Sequence, residues 1–320
     1  MATQGLLPAE IPAYWYEANS HLSRCVSFYL WHGLTSSNWK NYLSGQHSYI
    51  NFVQICPSLL VQPGQFLPAT QGVLEWVGFL GDHRIMPKTI KSYISSVCSM
   101  HIDAGLPFKL CESPIIQWVI RGIKCYYREQ KCNPKIPITI DILQRLVAIP
   151  GDLTTLSDAT FNAVVKLAWA GFLHCEEFML ANKEKFDPAL HLTCSTVEFI
   201  PDVNAPTHIC LVLPSSKTDP FCKGVSILIA CAPASTFSTC AISALQHLFQ
   251  LSPQPLLLPL FMDNVGKLLS QTCFISILKS HLARIGLDSS LYSGHSFWQG
   301  AASSAGAVSY SDYEIQLLGC

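Results

Sequence analysis

The first place where this sequence could do chemistry is YSGHSFWQGAASSAGA, residues 292–307, in which a histidine opens a run of small, helix-forming residues. His295 follows a glycine, and Trp298 stands three residues after it. An imidazole can take or give a proton near neutral pH; an indole offers one N–H and no charge. Taken alone, His295 reads as an ordinary core or surface histidine. Lys217, in SSKTDP, reads as a turn lysine. A third feature is electrostatic. Arg121, Lys124, Arg128 and Lys131 are spaced 3, 4 and 3 apart, with Tyr126 and Tyr127 among them. At about 100° per residue they share one helix face. Four cations in register can follow a phosphate backbone, with arginine able to grip a phosphate bidentately; the same spacing also suits a solvated helix face. Lys40, Lys88 and Lys91 lie near helix starts, where the helix dipole disfavours cations unless an anion compensates.

The elements that must position these residues follow from periodicity. SSNWKNYLSGQHSYINFVQIC, TQGVLEWVGFLGDH, MPKTIKSYISSVCSMHIDAGL and SPIIQWVIRGIKCYYREQ read as four helices. Pro87 suits the start of the third and Gly105 its end. KCNPKIPI carries two prolines, a linker signal that places a domain boundary near Asn133–Pro137. Beyond it, TIDILQRLVAI and SDATFNAVVKLAWAGFL read as helices. STVEFI, THICLVLP and VSILIACA read as strands separated by turn formers. CAISALQHLFQ, SQTCFISILKSHLARIGL and a final SAGAVSYSDYEIQLLGC return to helix. The expected fold is therefore mainly α: an all-helical domain over 1–133, then an α+β domain over 134–320 with a small antiparallel sheet.

Composition narrows the classes. Of 320 residues, 49% are hydrophobic and 13% charged, enough for a large core and too apolar for a disordered chain. No apolar run reaches the ~18 residues of a spanning helix, so no membrane partner is expected. The N-terminus lacks a basic start and a long apolar stretch, so secretion is not expected. Fourteen cysteines occur without one C-x-x-C pair. That argues against a metal site and for free thiols in a reducing compartment. Cys98, Cys175 and Cys231, set among apolar residues, are expected to be buried as small hydrophobes. The net charge of −1 hides an asymmetry. Lys plus Arg less Asp plus Glu is 11 − 7 = +4 up to Lys135 and 9 − 14 = −5 from Ile136. A basic first half points, weakly, to a polyanion.

With these elements placed, SGHSFWQGAASSAGAVSYSDYEIQLLG resembles the C-terminal box of tyrosine recombinases, the phage-integrase-like enzymes that break and rejoin DNA. It is most similar to the version carried by eukaryotic mobile elements, which reads G-H-S-F-R-x-G-A-A and then a helix ending L-G-R-W. LAWAGFLHCEEFML resembles the family's F-L-R-x-G-E box, and SSKTDPFCKGVSILIA its lysine-bearing β-hairpin. The first half is similar to the helical, SAM-like core-binding domain, with LTSSNWKNYLSGQHSYINFVQIC standing where T-x-x-x-Y-x-x-x-x-x-x-F is usual. The resemblance implies double-stranded DNA as partner, a possible homo-oligomer, no cofactor, and a nuclear address by family or a cytoplasmic one. It also implies DNA contacts from Arg121, Lys124, Arg128, Lys131, Lys40 and Lys91. In the family a tyrosine attacks a DNA phosphate while two arginines hold its oxygens. A lysine protonates the leaving oxygen and a histidine assists proton transfer.

Carried over by position, Lys217 fits the lysine and His295 the histidine. His174 stands at the first arginine position and Trp298 at the second. Tyr310 and Tyr313 precede the L-G and do not match the nucleophile's place. A guanidinium is charged at any cellular pH, whereas an ordinary imidazole of pKa about 6.5 is mostly neutral at pH 7. Removing one preorganised donor from such a site typically costs ~10²–10³ in rate. The expectation is a degenerate, C-terminally truncated recombinase-like protein that retains the fold. Two alternatives stand beside it: a fragment of an active recombinase whose tyrosine segment is missing, and a helical interaction module that binds no nucleic acid.

Overall fold

A computed structural model describes residues 20, 22–33, 36–56, 70–103, 113–127, 134–149, 153–181, 185–215, 223–262 and 266–318. The chain divides into two compact units, Met1–Lys131 and Cys132–Cys320. The first is helical where described: α1 (Arg24–His32), α2 (Ser36–Ile55), α3 (Thr70–Asp82), α4 (Pro87–Asp103) and α5 (Pro114–Tyr126). Helix α1, which periodicity did not suggest, is opened by Ser23, whose hydroxyl accepts the Val26 N–H. Pro87 and Pro114 open their helices, where a missing N–H costs nothing. Gly105 lies outside the described residues.

Burial of aromatics organises this unit. Tyr49, Val73, Trp76, Ile90, Val97 and Ile116 are fully enclosed. Tyr49 and Trp76 meet edge to face at 5.0 Å, the arrangement favoured by ring quadrupoles. Helices α2 and α4 approach so closely at Gly45 that a Cβ there would lie 2.0 Å from Ser96 Oγ and 2.9 Å from Tyr93 Cα. On α5, Ile116 and Ile120 face this core, while Arg121 and Lys124 are exposed on the other side.

The second unit follows as α6 (Ile140–Val147), α7 (Leu156–Ala170), the single turn α8 (Cys175–Phe178), β1 (Val197–Ile200), β2 (His208–Leu213), β3 (Val225–Ala230), α9 (Ala241–Leu251), α10 (Gln271–Arg284), α11 (His295–Ala307) and α12 (Asp312–Leu318). Thr139, Thr155 and Ser270 cap α6, α7 and α10 by accepting a backbone N–H in the first turn. The strands form one antiparallel sheet in the order β1-β2-β3, with Val197 opposite Leu211 and Leu213 opposite Val225. Ile209, Leu211, Leu213 and Ile229 turn inward onto the core. Helix α7 is the axis of this core: its residues 159–168 are buried all round, the mark of a helix surrounded by protein. The architecture is the expected one: mainly helical, with a small antiparallel sheet in the second half.

Two readings are corrected. The final segment is not one helix. Helix α11 already begins at His295 and ends at Ala307, and Ser309 adopts a left-handed backbone (φ 73°) that turns the chain into α12. Ser309 offers no propensity cue comparable to a glycine, so periodicity ran through it. Cys231 is exposed rather than buried, and Cys98 is half-buried; of the three, Cys175 alone is enclosed. Strand β3 has just ended at Ala230, so the apolar run around Cys231 no longer implies burial. No helix among the described residues is long and apolar enough to cross a membrane.

The glycines of the first unit separate packing from propensity. Gly78 in α3 has open space where a Cβ would stand. Gly78→Ala should therefore raise stability by about 0.5–1 kcal/mol, the helix-propensity gain. Gly45→Ala, forced against α4, should lower it by about 1–3 kcal/mol. Denaturant midpoints of the two variants should move in opposite directions.

Candidate functional site: an aromatic cluster on helix α11

The segment preceding α11 is fixed before any functional group is placed. Ile136 N–H donates to Leu291 carbonyl and Ile138 N–H to Ser296 carbonyl (both 2.9 Å). The Ile138 carbonyl accepts the Trp169 indole N–H at 3.0 Å. Both polar backbone groups of a fully buried residue are thus satisfied. Against this strand-like run Gly300 packs so tightly that a Cβ would sit 1.8 Å from the Ile138 carbonyl oxygen. At the other end of the first turns, a Cβ on Gly294 would stand 2.6 Å from Cys175 Cβ and 2.7 Å from its sulfur. Ser296, fully buried, accepts the Ser293 N–H at 3.0 Å and closes the turn leading into the helix.

Held by these two approaches, α11 carries His295 and Trp298 up to His174. The three ring planes are within 15° of parallel. Their centroids form a near-equilateral triangle: 5.2 Å from His174 to His295, 5.4 Å from His174 to Trp298 and 5.3 Å from His295 to Trp298. The two imidazole Nδ1 atoms lie 3.3 Å apart, so one must carry a proton and the other a lone pair for the contact to be a hydrogen bond. His174 is the N-cap of α8, and its backbone N–H donates to the Glu177 carboxylate at 2.8 Å. That carboxylate in the first turn of α8 also complements the helix dipole. The Trp298 indole N–H is buried without a hydrogen-bond partner.

The sequence positions singled out above fall differently. His174, His295 and Trp298 converge, although 121 residues separate the two histidines. Lys217 lies outside the described residues. So do Arg128 and Lys131; the described helix α5 ends at Tyr126, and of the four stripe cations Arg121 and Lys124 are seen on it, both exposed. Lys40 and Lys91 are exposed on α2 and α4. Tyr310 and Tyr313 are exposed on either side of the α12 start. The second unit's two arginines are engaged elsewhere: Arg145 donates to the Ile285 carbonyl, and Arg284 lies close enough to His281 to act on it electrostatically. Among the described residues, no group of three or more His, Cys, Asp or Glu is placed to hold a metal ion. Gly294 and Gly300 were missed as positioning residues. Their signal was the small-residue run itself, which reads equally as helix propensity.

Comparison with known proteins bears on the fold. No protein-family model matches the chain. It is 26% identical over 250 residues to an integrase/recombinase xerD homolog of Selenomonas ruminantium, covering 75% of this chain and 66% of that protein, just under two thirds of its length. Among solved structures, it is similar to the XerH site-specific recombinase bound to difH substrate (TM-score 0.53, 14% identity, 87% of this chain and 71% of that one). It is equally similar to a lambda integrase tetramer bound to a Holliday junction (TM-score 0.53, 12% identity, 95% and 75%). The chain is similar in sequence to a recombinase homolog and has the fold of the tyrosine recombinases. The ring cluster lies where α8 and α11 meet, in a unit that shares this fold.

Cys175, beneath the cluster, has its thiol pushed up to about 12, chiefly by burial. Thiolate is the reactive form, so Cys175 should alkylate far more slowly than exposed Cys273. Its rate should also keep climbing with pH beyond the ~8.5 at which an ordinary thiol is half ionised. Peptide-resolved alkylation across a pH series checks both.

Proposed function

We propose that this protein is a recombinase-type DNA-binding protein whose strand-transfer pocket no longer supports cleavage. The observation that carries this reading is the ring triangle of His174, His295 and Trp298. In the family resemblance, two of these positions belong to arginines. A phosphoryl group in transit bears charge on its equatorial oxygens and needs fixed cationic donors around them. An indole supplies no charge, and an imidazole supplies it only when protonated. Rings stacked against one another also fill space that a phosphate would have to enter. His295 and Lys217 are then remnants of a proton-transfer apparatus without the electrostatic cradle that made it useful. Mobile-element origin accords with the wording of the C-terminal box.

DNA affinity is assigned to the basic first half. Arg121 and Lys124 are exposed on α5, as are the rings of Trp118 and Tyr126, and Arg128, Lys131, Lys40 and Lys91 are the further cations assigned to binding. Binding of this kind is non-specific and salt-sensitive. For about four phosphate contacts, affinity should fall roughly 100-fold between about 50 and 200 mM salt. Arg121→Ala with Lys124→Ala should reduce the log–log salt slope by about 2. Salt-independent or undetectable binding in a gel-shift titration would remove this reading and favour an interaction module, to which the net −5 of residues 136–320 lends support.

The catalytic half of the proposal has its own test. On nicked suicide substrates, no tyrosine-linked protein–DNA adduct should accumulate on denaturing gels. Appearance of such an adduct would show that the cluster is compatible with phosphoryl transfer and overturn the inactive reading.

A further inference from the structure

Away from the ring cluster, two cysteines meet at the junction between the sheet and α9. Cys231 Sγ and Cys240 Sγ are 3.7 Å apart. Cys231 directly follows β3, is anchored by its N–H to the Thr207 carbonyl at 3.0 Å, and is exposed. Cys240 is 1% exposed and is the N-cap of the eleven-residue helix α9. The two are joined by a short 3₁₀ segment, Ala234–Thr239. The environments are unequal. Burial raises the Cys240 thiol, but hydrogen bonds from the Ala232, Ser243 and Ile242 backbone and from the Cys231 thiol outweigh it and hold Cys240 below the ordinary thiol value. Cys231 is held above it, by desolvation and by the negative charge its neighbour takes. Lys166, 7% exposed on α7, faces the same place: burial lowers its pKa and the charge on Cys240 raises it. A buried ammonium and a helix N-terminus thus both favour a thiolate on the buried sulfur.

We infer that Cys231 and Cys240 are a redox-active dithiol, a modification site that reacts with low-molecular-mass disulfides and closes to an intramolecular disulfide. The accessible sulfur reacts first. The Cys231 thiolate attacks one sulfur of R–S–S–R, forming Cys231–S–S–R and releasing R–S⁻. The Cys240 thiolate then attacks Cys231 Sγ, forming the Cys231–Cys240 bond and releasing the second R–S⁻. Two cysteines are oxidised by two electrons, one external disulfide is reduced to two thiols, and the two cysteine protons pass to solvent or to the released thiolates. Closure draws together two sulfurs already in contact and ties the end of β3 to the start of α9. This site is independent of the reading given to the ring cluster and of DNA binding.

The test uses the full chain equilibrated anaerobically with glutathione and its disulfide at graded ratios, quenched by an alkylating agent and digested with trypsin. Both cysteines fall in one peptide, 224–267, since the flanking basic residues are Lys223 and Lys267. The expected result is loss of alkylation at both sites together, with a peptide mass lower by two hydrogens. Cys240→Ser, which keeps an N-cap residue of good propensity, should instead trap Cys231 as a stable glutathione adduct. Cys231→Ser should leave Cys240 unmodified. The inference is overturned if both cysteines stay alkylated while exposed Cys125 and Cys273 take up glutathione, or if wild-type Cys231 retains the adduct without closing. The wild-type mass result stands alone if either variant fails to fold.

Discussion

Two glycines without side chains decide where this protein's chemistry sits. Gly300 lets α11 lie on the Ile138 carbonyl, and Gly294 lets the same helix begin against Cys175. Any Cβ at either place would meet backbone or a neighbouring side chain well inside van der Waals contact, so the helix would have to move as a body. Interiors are close-packed and yield little. The position of His295 and Trp298 relative to His174 is therefore a consequence of core packing, not of interactions among the three rings.

Given that placement, the electrostatics follow. A cluster of rings carries quadrupoles and no permanent charge. A pocket lined by guanidinium groups carries two permanent charges. The contacts that hold the cluster lie behind the rings: Ile138 with Trp169 and Ser296, Cys175 with Gly294, and the Glu177 carboxylate on the His174 N–H. Fold and chemistry are separable here, as they generally are when function is a set of side chains on a stable frame. The dithiol at the sheet–helix junction illustrates the same point. It uses a helix N-terminus, a strand end and a buried lysine, all parts of the frame.

Much of the frame was readable along the chain. Pro87 marked a helix start. THICLVLP read as a strand and SDATFNAVVKLAWAGFL as a helix, and both are found as such. These signals are local: they depend on residues within one or two turns of each other. The failures were also physical. Ser309 took a left-handed conformation usually reserved for glycine, so the break between α11 and α12 had no marker. Cys231 sat in an apolar run, but β3 ends one residue before it and leaves it exposed. Helix α1 was overlooked.

The sequence by itself determined most of the order of helices and strands, the division of charge between the halves, and the absence of arginine at positions 174 and 298. Those properties belong to single residues or to short windows, where spacing and side-chain type are sufficient. Tertiary structure alone decided that residues 174, 295 and 298 share one cluster, and that Cys231 and Cys240 touch. Such contacts arise only when distant segments pack to interatomic separations of a few ångströms, and no local periodicity encodes that approach.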